Sequence, residues 1–358
     1  MNVSRPHPLR APRIRTAGVA AAAALGLLGL SACSPDGSAG KAADGKLAVV
    51  ASFYPMQYLA EQIGGEHVSV TNLTKPGVEP HDLELKPRQI GSLADAGAIV
   101  YLKGVQPAVD EAIKQSKNKH AVDVASLTHL EAHGSEVDGK HHTTGDASSH
   151  SEEPEEAGHD EHGHDEHGHE GHDHEGHDHG HDHEGGTDPH IWLDPVKYAE
   201  VAKGVAKTLA EADPEHKGDY EKNAGALVKK LGALDAKFKD GLKNRASDTF
   251  ITTHAAFGYL AERYGLTEES ISGLDPESEP SAARIKDLHK LAGDHHVSTI
   301  FFETLASPAT AKTLAKDLKL KTDVLDPLEG ITDKSKGRDY VEVMEANLAA
   351  LQKALGTK

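Results

Sequence analysis

From Pro214 to about Leu242 the chain runs for nearly thirty residues with no internal proline, and Tyr220, Leu227, Leu231, Leu234 and Phe238 recur at intervals of three, four and seven. That spacing predicts one long helix with an apolar stripe. At 1.5 Å per residue it would extend on the order of 40 Å, enough to bridge two bodies. It therefore divides the sequence, and the 358 residues suit two domains.

Short apolar runs alternate with helical patterns on both sides of this stretch. Before it, strands are expected at Leu47–Ser52, Val68–Leu73 and Ala98–Leu102, with helices at Tyr54–Ile63 and Gln89–Ala96 between them. Val196–Ala212 reads as a further helix. After it, strands are expected at Thr249–Thr253, Ser298–Phe302 and Lys321–Leu325. Helices are expected near Ala256–Tyr264, Ser281–His295, Pro308–Leu318 and Asp339–Leu355. Alternation of this kind implies α/β architecture, each half a mainly parallel sheet with flanking helices. Aromatic residues make up only 4%, so the cores must rely on Ala, Leu, Val and Ile.

One segment breaks the pattern. Fifteen of the 26 histidines lie between His133 and His183, interleaved with Asp, Glu and Gly. Among them are His159, His162, His164, His167, His169, His172, His174, His177, His179, His181 and His183. With almost no apolar side chain to bury, residues 133–186 are expected to be a disordered loop insertion. From Glu131 to Asp188 there are 19 acidic residues against a single lysine, so this stretch holds all but one unit of the net charge of −19. The rest of the chain is near neutral and has no basic stripe, which excludes nucleic acid as a natural partner.

The N-terminus reads as a processing segment. Arg5, Arg10, Arg13 and Arg15 precede the apolar run Ala17–Leu30, too short for a bilayer that needs roughly 20 helical residues. Leu30-Ser31-Ala32-Cys33 follows and resembles a bacterial lipoprotein signal, which implies a lipid anchor on Cys33, the only cysteine. A disulfide framework or cysteine zinc site within the chain is excluded. The expected layout is a signal peptide over residues 1–32, a tether over 33–46, an N-terminal lobe over 47–212, a linking helix over 213–244 and a C-terminal lobe over 245–358.

Outside the loop, four positions stand out for chemistry: His81, His190, His254 and Asp326. His254 and Asp326 follow predicted strands, where ligand groups gather in parallel sheets. His81 lies on a proline-rich loop, and His190 in Asp188-Pro-His-Ile-Trp-Leu-Asp-Pro195. Three imidazoles and a carboxylate suit tetrahedral Zn²⁺. Their separation in sequence leaves them candidates only.

Several motifs occur together: Phe53-Tyr54-Pro55, Pro80-His81-Asp82, Asp188 to Pro195, Thr253-His254-Ala255-Ala256-Phe257-Gly258-Tyr259, Glu277-Ser-Glu-Pro280-Ser281 and Phe302-Glu303. In this order they resemble the metal-binding proteins of zinc and manganese ABC importers, nearest the zinc-uptake, ZnuA-like branch. The resemblance runs from about Leu47 to Leu355. It implies two α/β lobes joined by one long rigid helix, with metal between them, and His81, His190, His254 and Asp326 as ligands in that order. Histidine rather than glutamate at position 254 favours zinc over manganese. The resemblance implies an extracytoplasmic lipoprotein on the cell membrane, an ABC permease with its ATPase as partners, and no catalysis. It is compatible with loading by a zinc metallochaperone. The loop histidines would form a weak zinc reservoir. Other readings are a zinc hydrolase, a manganese or nickel binder, and a surface adhesin. Against the hydrolase, no His-Glu-x-x-His helix occurs.

Overall fold

Residues 40–134 and 187–357 are described by the structure, a computed structural model. The expected signal peptide, Cys33 and the histidines from His141 to His183 lie outside the described residues.

The N-terminal half builds a four-stranded, all-parallel sheet in the order β2-β1-β3-β4. Its strands are β1 (Leu47–Ala51), β2 (Val68–Asn72), β3 (Ala98–Tyr101) and β4 (Ala121–Asp123). The helices between them are α1 (Tyr54–Gly64), α2 (Pro87–Asp95) and α3 (Pro107–Ser116). Each begins with a proline in its first turn, where the missing N–H costs nothing. After the histidine-rich segment comes α4 (Pro195–Ala212), capped by Asp194 accepting from the Val196 N–H.

The long helix is α5 (Lys217–Gly241), 25 residues without a break. Beyond it a second parallel sheet repeats the first topology, in the order β6-β5-β7-β8. Its strands are β5 (Thr249–Thr252), β6 (Thr267–Ser270), β7 (Thr299–Phe302) and β8 (Lys321–Val324). Its helices are α6 (Gly258–Tyr264), α7 (Ala282–Asp294), α8 (Ala309–Leu318) and α9 (Tyr340–Ala354). No described helix is long and apolar enough to cross a membrane.

Each sheet is covered on both faces, as parallel strands require. One face of the first sheet packs Val50 and Ile99 against Leu93, Val109 and Ile113 of α2 and α3. One face of the second packs Ile251 and Ile300 against Leu288 and Leu314 of α7 and α8. The opposite faces share a single core with α1, α4, α5 and α9.

Helix α5 ties the halves together. Near its start, the Asn223 side chain donates to the Ile63 carbonyl at the end of α1 (3.0 Å). At its other end, the Gly241 carbonyl accepts from Gln352 of α9 (3.0 Å). Aromatic packing adds a second tie. Tyr340, which opens α9, lies 5.4 Å from Tyr58 and 4.8 Å from Tyr198, both in the first lobe. Its hydroxyl donates to the Trp192 carbonyl (2.5 Å), and the Trp192 indole donates to the Pro327 carbonyl in the second lobe (2.7 Å). These fully buried contacts fix the seam where the site lies.

Candidate metal centre

The first three candidate histidines reach the seam from separate elements. His81 sits on the loop between β2 and α2, and its backbone N–H donates to Glu79 (3.3 Å). His190 precedes a short 3-10 turn, Ile191–Leu193. Asp188, two residues earlier, takes both the His190 backbone N–H (2.9 Å) and its Nδ1 (2.7 Å) on one oxygen. His254 lies two residues beyond β5, and its Nδ1 is 2.7 Å from Glu303, the residue that follows β7. Thr253 also donates its hydroxyl to Glu303. A carboxylate on Nδ1 fixes that nitrogen as the N–H and leaves Nε2 free to act as a donor to a cation.

The ring centroids are 5.9 Å apart for His81 and His190, 6.3 Å for His81 and His254, and 5.4 Å for His190 and His254. All three Nε2 atoms face one oxygen, Glu329 Oε1, at 3.2 Å from His81, 3.2 Å from His190 and 3.5 Å from His254. A tetrahedral zinc site with bonds of 2.0–2.1 Å has ligand–ligand edges of about 3.3 Å. The donor set matches that scale, and all its ligand atoms lie within 4.8 Å of one another. His254 Nε2 and Glu329 Oε2 are buried without a hydrogen-bond partner, an arrangement that costs about 1–3 kcal/mol per group until something fills it.

Asp326 does not join this group. Its Oδ1 accepts from the Leu328 N–H (2.9 Å) and its Oδ2 from the Thr304 hydroxyl (3.2 Å). Asn347 brackets its backbone, accepting from the Asp326 N–H (2.9 Å) and donating to its carbonyl (2.8 Å). Asp326 thus braces the turn after β8. Leu328 turns the chain at φ 61°, in the left-handed region that leucine rarely adopts. The carboxylate delivered to the seam is the next acidic residue, Glu329. The strand-end rule points to the first acid beyond β8 and passes over the second.

The electrostatics follow from burial and pairing. Burial alone would push the His190 imidazole down, but Asp188 and Glu329 hold it up at about 9. Burial likewise opposes the charge on His254, yet Glu303 and Glu329 keep it well above the usual imidazole range. Glu329 sits well below the carboxylate range, because the imidazoles outweigh its burial. Glu79 belongs to this neighbourhood too. One of its oxygens is buried and unpartnered. Burial and then the Glu329 charge push its carboxyl up to about 9. The carboxylates around His190 and His254 thus favour the protonated form of these two buried imidazoles.

Glu303 orients His254 through its 2.7 Å contact to Nδ1. Trp192 is a packing anchor, lying 5.1 Å from Phe53. His289, His295 and His296 are exposed. His67 and His216 are half-buried and stack on each other at 3.9 Å.

Two four-stranded α/β lobes with a histidine-lined seam between them define a cleft-type binding protein. Residues 49–354 match the family described as zinc-uptake complex component A, periplasmic. The chain belongs to that family, the ZnuA family. It is 37% identical over 328 residues to the high-affinity zinc uptake system protein ZnuA of Bacillus subtilis, covering 91% of this chain and 92% of that one. It is 36% identical over 336 residues to the zinc-binding lipoprotein AdcA of Streptococcus pneumoniae, covering 92% of this chain but only 59% of AdcA. The chain therefore spans little more than half the length of that relative. The crystal structure of the Zn(II)-bound ZnuA-like domain of the same AdcA superposes with a TM-score of 0.65 at 31% identity, over 87% of this chain and 99% of that domain.

Proposed function

We propose that this chain is an extracytoplasmic binding protein that captures Zn²⁺ between its lobes and hands it to an ABC permease and its ATPase. In this reading the ligands are His81, His190 and His254 through Nε2 and Glu329 through its carboxylate. Asp188 and Glu303 set the two buried rings. The observation that carries the reading is the convergence of three Nε2 atoms on one buried carboxylate oxygen at 3.2–3.5 Å. A fourth protein ligand leaves no open position on a tetrahedral ion, which argues against a zinc hydrolase. The zinc-binding and zinc-uptake names of the relatives support zinc as cargo.

The boundaries 47–212, 213–244 and 245–358 serve as working limits of the first lobe, linking helix and second lobe. A lipid on Cys33 would hold the protein to the outer face of the membrane through residues 33–46. The histidines from His159 to His183 would raise zinc near the cleft at lower affinity. Competition titration of the full-length protein with Zn²⁺, Mn²⁺ and Ni²⁺, repeated on His190→Ala, tests the reading. Zinc should bind most tightly and the variant should lose that binding. Tighter binding of manganese, or a His190→Ala protein that keeps tight zinc, would overturn it.

A further inference from the structure

We propose that Glu131, His133 and Glu262 form a second, weaker site for Zn²⁺ or a similar borderline divalent cation, at the point where the histidine-rich segment leaves and re-enters the fold. Among the described residues, this is the other group of histidine and carboxylate whose ligand atoms lie within 4.8 Å of one another. Its chemistry repeats that of the cleft. Asp188 receives the His190 Nδ1 on one oxygen and the His133 Nδ1 on the other, at 2.7 and 2.9 Å. One buried carboxylate therefore sets two imidazoles. The His190 Nε2 is aimed at the cleft, and the His133 Nε2 at Glu262 (3.1 Å) and Glu131 (4.0 Å).

The ring is held as well as aimed. Tyr259 packs edge-on to His133 at 4.6 Å, donates its hydroxyl to the Asp188 carbonyl (2.9 Å) and accepts from the Glu131 N–H (2.8 Å). The Asp188 N–H donates to the Glu131 carbonyl (2.9 Å), so both ends of the segment meet here. Lys197 pairs with Glu131 Oε1 (2.6 Å), while Oε2 is the oxygen turned toward His133. A hydrogen bond shared with Glu131, followed by burial, holds the Glu262 carboxyl above the usual carboxylate range. One imidazole and two carboxylates, with Glu262 largely exposed, give fewer protein ligands than the cleft and positions left for water. The site would bind more weakly and exchange faster. Sharing Asp188 with His190, and lying where the described chain stops at Gly134 and resumes at Thr187, it suits an ion on its way to the cleft.

Anomalous diffraction at the zinc edge on crystals of the full-length protein, at one equivalent and in excess zinc, tests this. The expected result is a peak in the cleft under both conditions and a second peak beside His133 Nε2 only in excess. Glu262→Gln, which alters neither Asp188 nor the cleft, should lose the second peak and keep the first. A filled cleft with no peak at His133 in excess zinc, or a His133 peak that Glu262→Gln leaves at full height, overturns the inference. An empty cleft overturns the proposed function instead.

Discussion

Acidification should weaken zinc binding from well above pH 7, not only near the ordinary imidazole range. In the metal-free protein His190 stands at about 9, and His254 is also raised. Zinc binds the neutral imidazole, so binding at pH 7 must displace these protons. For His190 alone, the gap between pH 7 and about 9 amounts to roughly two units, on the order of 3 kcal/mol or a hundredfold in apparent affinity. The sign is fixed: lower pH favours the protonated ring and disfavours metal. Apparent affinity should therefore fall about tenfold per unit from pH 8.5 to 7. The fall should steepen toward about a hundredfold per unit where a second proton is displaced. Unperturbed histidines, near 6.5, would give an almost flat curve over the same window. Competition against a chelator of known pH dependence, with one equivalent of zinc on the full-length protein, keeps free zinc too low for weak sites. Affinity constant within about twofold between pH 7 and 8.5 would refute the electrostatic account.

Further outcomes follow from named contacts. Glu329→Gln should lose more affinity than the 10–100-fold typical of residues that only orient a ligand, whereas Asp326→Asn should lose less and should lower the melting temperature; calorimetry of both variants checks the contrast. Gly258→Ala would place a methyl 2.4 Å from His133 Cβ and 2.9 Å from Asp188 Oδ2, so zinc affinity should fall roughly 10–100-fold as Asp188 loosens its hold on His190. Gly232→Ala, whose added methyl meets nothing within 4 Å, is the control and should leave affinity unchanged. Replacing residues 135–186 by a short glycine linker should remove most bound zinc equivalents and leave one tight site, as counted by equilibrium dialysis; loss of the tight site would mean the cleft assignment is wrong.

Much of the fold was legible because its central strands are short apolar runs. Leu47–Ala51, Ala98–Tyr101 and Thr249–Thr252 are almost wholly buried and show it in their composition. The edge strands gave weaker signals. β4, Ala121–Asp123, has only three residues, too few to show a pattern. β6 reads Thr-Glu-Glu-Ser, which no periodicity marks as a strand. Its acids are satisfied by distant partners, Glu268 by the Thr252 hydroxyl (2.8 Å) and Glu269 by Arg284 (2.9 Å). Tertiary contact there overrides local propensity. The three site histidines were visible as candidates, but their meeting was not, because spacing says nothing about residues far apart in sequence. Glu329 was hidden by the turn that Asp326 and Leu328 make, since only the backbone path decides which acid of that loop faces the seam.

Zinc-edge anomalous diffraction on the protein loaded with one equivalent bears most directly on the central claim. The expected result is one peak within about 2.0–2.2 Å of His81, His190 and His254 Nε2 and of a Glu329 oxygen, with Asp326 still bonded to Leu328 and Thr304. A peak bonded to Asp326 in place of Glu329, or one that leaves any of the three imidazoles unbound, would contradict it.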